Sequence, residues 1–187
     1  LFSDRLFSNL SVIYSHFMYG LESDDTRWES SIRDWNIKGD LTFFANPKST
    51  IKGGFQSTYH KFTPFIVKAG ANSPNYMKNV SEYNKSLEHA VYVSNEAKIG
   101  GLIDVDYGVR LSMLQNIGKA DVVNLDENYN IVDTTHYGKG VFNTYKGFEP
   151  RFSLNIRLTD HNSIKANFQQ TYQYVHLASN TMSPLPI

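Results

Sequence analysis

The sequence predicts an all-β chain: antiparallel strands in up-and-down order, forming part of the wall of a transmembrane β-barrel. Three observations predict it. Apolar and polar side chains alternate with period two from end to end. Short turns and long polar connections alternate between the runs. Several runs reach the ~9–11 residues that a tilted strand needs to cross a bilayer, against ~5–6 for a typical soluble strand.

Taken in order, about seven runs emerge. Residues 4–20 look extended, but their alternation assigns no face. Within 27–45, Trp35, Ile37, Leu41 and Phe43 oppose Asp34, Asn36, Lys38, Asp40 and Thr42. Within 50–63, Ile51, Phe55 and Tyr59 oppose Lys52, Gln56, Thr58 and His60. Run 86–97 is again extended without a clear face. Run 102–116 is the clearest: Ile103, Val105, Tyr107, Val109, Leu111 and Met113 against Asp104, Asp106, Gly108, Arg110 and Ser112. Run 144–158 sets Phe152, Leu154, Ile156 and Leu158 against Arg151, Ser153, Asn155 and Arg157. Run 163–178 sets Ile164, Ala166, Phe168, Tyr172 and Tyr174 against Lys165, Asn167, Gln169, Thr171 and Gln173.

The connections fix the direction of the strands. Asn46-Pro47-Lys48-Ser49, Gly100-Gly101 and Asp160-His161-Asn162 are rich in turn formers and link the second run to the third, the fourth to the fifth and the sixth to the seventh. Connections 64–85 and 117–143 are long and polar. Outer-membrane barrels place short turns at the periplasmic end and longer loops outside, so odd-numbered runs go outward and even-numbered runs inward.

Lipid offers no hydrogen bonds, so a sheet that spans a bilayer closes on itself with an apolar outer face and an inner face free to be polar. The residues expected toward a lumen are Asp104, Asp106, Arg110, Arg151, Asn155, Arg157, Lys165, Asn167 and Gln169. Those expected toward lipid or in an interfacial aromatic girdle are Trp35, Phe43, Tyr107, Val109, Leu111, Phe152, Leu154, Ile156, Phe168 and Tyr172. If neighbouring strands pair, Asp104 is expected to neutralise Arg157 and Lys165 across the ladder. Single-chain bacterial barrels have an even strand count. Seven runs, no visible signal peptide and an ending at Ser183-Pro184-Leu185-Pro186-Ile187 lead us to expect further strands outside these residues.

Composition agrees and excludes several classes. Lys plus Arg (18) balance Asp plus Glu (18), whereas a nucleic-acid binder normally shows a basic excess. Twelve Tyr and twelve Phe accompany a mean hydropathy of −0.39, as alternation demands. A helical membrane protein needs ~18 or more consecutive apolar residues, and no such run occurs. Without cysteine, neither disulfides nor thiolate metal sites are available.

Candidate chemistry is sparse. The six histidines show no ligand spacing, so no metal and no cofactor is expected. Asp126-Glu127-Asn128-Tyr129-Asn130 resembles the start of a calcium loop, but Ile131 stands where Gly is needed and Tyr137 where an acid is needed. A turn between two loop strands is the better reading. Tyr76, Tyr83 and Tyr129 are the aromatic residues best placed in loops to meet a ligand. No nucleophile–base set stands out, and the chain is not read as an enzyme.

The stretches Arg27-Trp28-Glu29-Ser30-Ser31-Ile32-Arg33-Asp34-Trp35-Asn36-Ile37-Lys38 and Gly54-Phe55-Gln56-Ser57-Thr58-Tyr59-His60 resemble TonB-dependent outer-membrane receptors of the Bacteroidetes type. So do Glu149-Pro150-Arg151-Phe152-Ser153-Leu154, Ser163-Ile164-Lys165-Ala166 and Thr171-Tyr172-Gln173-Tyr174-Val175-His176-Leu177. The resemblance implies a barrel of about 22 strands occluded by an N-terminal plug. It implies import of a small nutrient ligand (glycan, peptide or metal chelate), driven by the TonB–ExbB–ExbD system, with a surface lipoprotein lid in some members. No plug and no TonB box is visible in these residues. The alternative kept open is an outer-membrane barrel that anchors a surface complex and transports nothing.

Overall fold

A computed structural model of the chain describes residues 4–23, 26–69, 84–126 and 130–174. The predicted runs become seven strands of one antiparallel sheet: β1 (Leu6–Ser23), β2 (Thr26–Asn46), β3 (Ser49–Ala69), β4 (Asn84–Ile99), β5 (Ile103–Ile117), β8 (Val141–Arg157) and β9 (Ser163–Gln169). Their order in space is β1-β2-β3-β4-β5-β8-β9, so each of these strands pairs with its sequence neighbour within the sheet. The chain is all-β, as the alternation requires. The described residues form an open sheet with β1 and β9 at its edges. No helix among them is long and apolar enough to cross a membrane.

The long connection 117–143 contains a hairpin of its own, β6 (Ala120–Leu125) with β7 (Ile131–Tyr137). Its turn is held by Asp126: the backbone N of Asp126 donates to Asn130 O at 2.9 Å, and Asp126 Oδ1 accepts from Asn130 N at 2.8 Å. Asp126 and Asn130 thus join two loop strands, the reading the sequence favoured over a calcium loop; residues 127–129 lie outside the described residues.

The tight turns follow their residues. Gly100 and Gly101 both take positive φ (59° and 76°), and Leu102 N donates to Ile99 O at 3.3 Å. Two successive left-handed residues match the twist of the flanking strands, a conformation that only glycine adopts freely. At the β2–β3 turn, Asn46 Oδ1 accepts from Lys48 N at 2.8 Å and fixes the bend.

Register decides which side chains share a face. Direct partners align Leu10, Gly39, Phe55, Val91, Leu111 and Phe148 in one row across six strands. One residue along the strands, on the other face, lies the row Asn9, Asp40, Gly54, Tyr92, Arg110 and Glu149. A slip of one residue would exchange the two sets, so the sorting of polarity is strong evidence for the register.

Burial is inverted relative to a soluble protein. Val91, Leu111 and Phe148 are 54%, 51% and 58% exposed, while Ser112 and Glu149 on the polar face are 6% and 7% exposed. Among the described residues the only buried hydrophobic side chains are Ala90 and Leu114, and both stand on the polar face. The sheet is one layer thick there. Apolar side chains gain nothing from a second layer, and polar ones are crowded against one another.

Two glycines make close crossings possible, one on each face. On the polar face a Cβ at Gly54 would fall 2.4 Å from Gly39 O and 2.6 Å from the Tyr92 hydroxyl. The missing side chain lets the Tyr92 ring cross over β3 and donate its hydroxyl proton to Asp40 on β2. On the apolar face Phe55 lies across Gly39 in the same manner, 2.5 Å from the site of a Cβ.

Candidate functional site

The polar face carries a chain of alternating acidic and basic side chains across five strands. It begins at Asp34 on β2, whose Oδ1 lies 2.9 Å from His60 Nδ1 on β3. His60 Nε2 is 3.6 Å from Glu88 Oε2 on β4, and Glu88 Oε1 is 4.0 Å from Arg110 NH2 on β5. Arg110 Nε reaches Glu149 Oε2 on β8 at 3.8 Å, and the guanidinium also donates to Gln56 Oε1 at 3.4 Å. Gln56 is two strands away from Arg110. The bond crosses β4 at Ala90, whose small side chain leaves the passage open.

Glu149 is the most enclosed charge of the set, its side chain 8% exposed. A carboxylate held that far from water needs donors. The Ser112 hydroxyl is one, and the Arg110 guanidinium adds its opposite charge at 3.8 Å. The Ser112 oxygen in turn lies 2.7 Å from the Tyr174 hydroxyl. His60 is similarly sheltered, its side chain 14% exposed, and its Nε2 lacks a hydrogen-bond partner among the described residues.

Beside the head of this chain an open groove of about 370 Å³ is lined by Asp34, Asn36, Lys38, Gln56, Thr58 and His60, among others. Asn36 Nδ2 donates to Thr58 Oγ1 at 2.6 Å within it. The wall offers donors and acceptors side by side, which suits a polar, hydroxyl-rich or zwitterionic ligand. Among the described residues no three His, Asp or Glu side chains converge as a metal site.

The residues expected toward a lumen all lie on the polar face. Asp104 is opposite Lys98 and Asn155, and Asn155 Nδ2 donates to Asp104 Oδ2 at 3.3 Å. Asp106 lies opposite Ser153, Ser153 donates to Asn167 Oδ1 at 2.7 Å, and Arg151 lies between Gly108 and Gln169. The expected neutralisation of Arg157 by Asp104 needs correction. Register places Asn155, not Arg157, opposite Asp104, and Arg157 faces Ser163 one step nearer the turn. Lys165 is opposite Asn155, one strand removed from Asp104.

On the other face, Phe43, Tyr107, Phe152 and Phe168 share a single row; Val109 and Leu154 stand in the rows on either side, Leu111 and Ile156 two rows away in opposite directions, and Trp35 four rows away. Tyr172 does not join them. β9 ends at Gln169, and after Gln170 N donates to Pro150 O at 3.1 Å the chain leaves the regular ladder. The rings of Tyr172 and Tyr174 then lie over Gly147 on the polar side, beside Ser112. Gly147 offers no side chain to keep them off, and its partner Ser112 supplies a hydroxyl for Tyr174. Tyr76, Tyr83 and Tyr129 lie outside the described residues.

Sequence reasoning placed Asp34, Asp40 and His60 among the polar positions of their runs without nominating them as site residues, and it did not single out Glu88, Tyr92 or Glu149. A signal for them was present. Gly54 interrupts a strand at a polar-face position, which marks a close approach by a neighbour. No family model, curated protein or solved structure matches the chain.

Proposed function

We propose that this chain is wall from a bacterial outer-membrane β-barrel, with the apolar face toward lipid and the polar face toward a lumen. We further propose that the barrel is a TonB-dependent transporter, importing a small nutrient ligand that is a glycan, a peptide or a metal chelate.

One observation carries the first step. An apolar face crosses the sheet with Leu10, Val12, Trp35, Val91, Leu111 and Phe148 more than half exposed, behind a face on which Thr58, Ser86, Ser94, Ser112 and Glu149 are buried. A soluble monomer rarely exposes an apolar patch larger than a few hundred Å². Lipid is the solvent that removes the conflict, since the face is as apolar as the tails it would meet. Tyr14 and Trp35, with ring centroids 4.8 Å apart, sit where the apolar rows give way to charge, as interfacial aromatics do.

Support for transport is the resemblance of the strand phrases, together with the mixed donors and acceptors of the polar face. In this reading the lumen wall at Asp34, His60, Glu88, Arg110 and Glu149 holds no charge that travels with the ligand. The acidic and basic groups hold one another in place, and the amides and hydroxyls beside them make short-lived contacts. TonB, ExbB and ExbD supply the energy, and a surface lipoprotein can close the outer mouth.

Two measurements separate the steps. The full-length protein should fractionate with outer membranes and need detergent for extraction; ready solubility in buffer would end the membrane reading. A strain lacking the gene should lose growth on one glycan, peptide or metal chelate of a panel. The gene should restore that growth only while TonB is active. Restoration without TonB would leave a barrel that anchors or leaks but does not pump.

A further inference from the structure

The apolar face does not end along straight rows. Going outward from the row of Leu10 and Phe148, away from the tight turns, each strand meets a first charged or amide side chain. It is Arg33 on β2, Lys61 on β3, Lys85 on β4, Gln115 on β5 and Lys146 on β8. Arg33, Lys61 and Lys85 share a row, Gln115 stands two residues nearer the turns, and Lys146 stands four. The limit toward the turns moves as well. On β2 and β3 the last large apolar side chains of this face are Phe43 and Ile51, in one row. On β4, β5 and β8 they are Ile99, Ile103 and Ile156, again in one row, four residues further along. The stretch between the limits keeps its length: Phe43 to Trp35 on β2 and Ile156 to Phe148 on β8 are nine residues each. Its polar exceptions on these five strands are Ser57, His89 and Asn95. Asn95 is satisfied near the inner limit, where Ser49 Oγ donates to its Oδ1 at 2.9 Å and its Nδ2 donates to the Tyr107 hydroxyl at 3.0 Å. Ser57 and His89 are direct cross-strand partners, both half-buried.

Both limits thus slide the same way by the same amount between β2 and β8. A barrel strand leans ~35–45° from the membrane normal, so the members of one row stand at different heights. Points of equal height then shift along the strand at every step to the next strand. Here four residues, about 14 Å, are lost over four strand spacings, about 19 Å, which is a lean of about 35°. At that lean nine residues, about 27 Å of strand, rise about 22 Å, close to the ~25 Å apolar band of outer-membrane barrels.

We infer that the lipid contact of this wall is a belt slanted about 35° across the strand rows and about 22 Å tall, which seats the sheet in a thin bilayer with Arg33 and Lys146 at one headgroup level. The inference rests on the membrane reading above and deepens it. It accounts for Lys146, which is exposed on the apolar face in the row of Ile37 and Met113. By row that lysine stands among apolar side chains. By height it stands with Arg33 and Gln115 at the outer rim, where an ammonium on its flexible stem reaches water. Two limits that slide together are what a flat slab of apolar solvent imposes on leaning strands. A protein partner packed on the face has no reason to keep the stretch at one height.

No cysteine occurs among these residues, so a nitroxide can be attached to one introduced cysteine at a time. The test uses the full-length protein, any cysteine elsewhere replaced by serine, in vesicles of dilauroylphosphatidylcholine. Depth is read from collisions with oxygen, which concentrates among acyl chains, against those with a water-soluble nickel chelate. Leu10→Cys, Phe148→Cys and Phe152→Cys place labels at exposed positions. Leu10 and Phe148 share a row, whereas Leu10 and Phe152 each lie midway along the apolar stretch of their strands. The labels at Leu10 and Phe152 should therefore report one depth near mid-bilayer, and the label at Phe148 should lie about 11 Å nearer the headgroups. Labels at Arg33 and Lys146 should both report the headgroup level, and they keep the test open if one of the first three variants fails to fold. Equal depth at Leu10 and Phe148, with Phe152 shallower, would overturn the slant and leave the membrane barrel standing. Labels at the first three positions screened from oxygen and nickel alike would also overturn it, because protein would then cover the face. Nickel contact as free at all three as in water would remove both the belt and the membrane reading.

Discussion

The two faces of this sheet solve opposite problems with the same backbone. On the polar face, side chains satisfy one another: Tyr92 reaches Asp40 over Gly54, Arg110 reaches Gln56 over Ala90, and Ser112 bridges Glu149 and Tyr174. On the apolar face they stand apart, and Val91, Leu111 and Phe148 each leave half their surface open. The lesson is that packing density here follows hydrogen bonding, not hydrophobicity. The polar face gets its stability from within the sheet, and the apolar face depends on whatever surrounds it.

That contrast is broken most sharply by putting a charge on the exposed face. Leu111→Arg should cost ~2–4 kcal/mol of folding free energy in lipid vesicles if it sits near mid-bilayer, measured by denaturant unfolding. The same change should be nearly neutral if the face meets water. Next in size is the pair of adjacent glycines. Gly54→Ala, whose Cβ would press on Gly39 O and Tyr92, should destabilise by about 1–3 kcal/mol. Gly53→Ala points the other way, 3.4 Å from Tyr92 O, and should stay within about 1 kcal/mol of the parent.

A smaller effect is expected at the Arg110–Glu149 link. Arg110→Met leaves Glu149 with Ser112 alone and should cost about 1–2 kcal/mol, and adding Glu149→Gln should recover part of it in a double-mutant cycle. Full additivity would show that the two groups do not interact. The smallest effect lies on the β6–β7 hairpin, where His136 Nδ1 sits 2.6 Å from Asp121 Oδ1. That hydrogen bond, with the carboxylate's charge, raises the His136 pKa above its ordinary 6.5. The protonated pair therefore steadies the hairpin at pH below 6.5, and the gain is lost as pH rises through the raised value. Amide exchange in β6 and β7 should be slower at low pH after correction for intrinsic rates, and His136→Gln should abolish the difference.

Strand 102–116 was fully legible because every side chain from Ile103 to Ser112 obeys the period of two. β1 and β4 were not. On β1, Phe7, Ile13 and Phe17 share the polar face with Ser11 and Ser15, so alternation gives no contrast. On β4, His89 and Asn95 stand on the apolar face and Ala90 on the polar one. Only pairing with β3 and β5 resolves them. The charge chain was hidden for a different reason. Asp34, His60, Glu88, Arg110 and Glu149 are far apart in sequence, and their meeting depends on four registers at once. The departure of Tyr172 from the ladder depends on the space over Gly147, which alternation cannot express.

The bulges in the main sheet fall at Glu29/Ser31, Phe44/Asn46 and Asn116/Ile117, each near the end of its strand. Between those points the ladder runs without a skipped residue, and adding one would rotate every following side chain to the wrong side. Descendants of this sequence can therefore lengthen or shorten freely at the rims, while the middle of each strand tolerates exchange of residues but no change in their number.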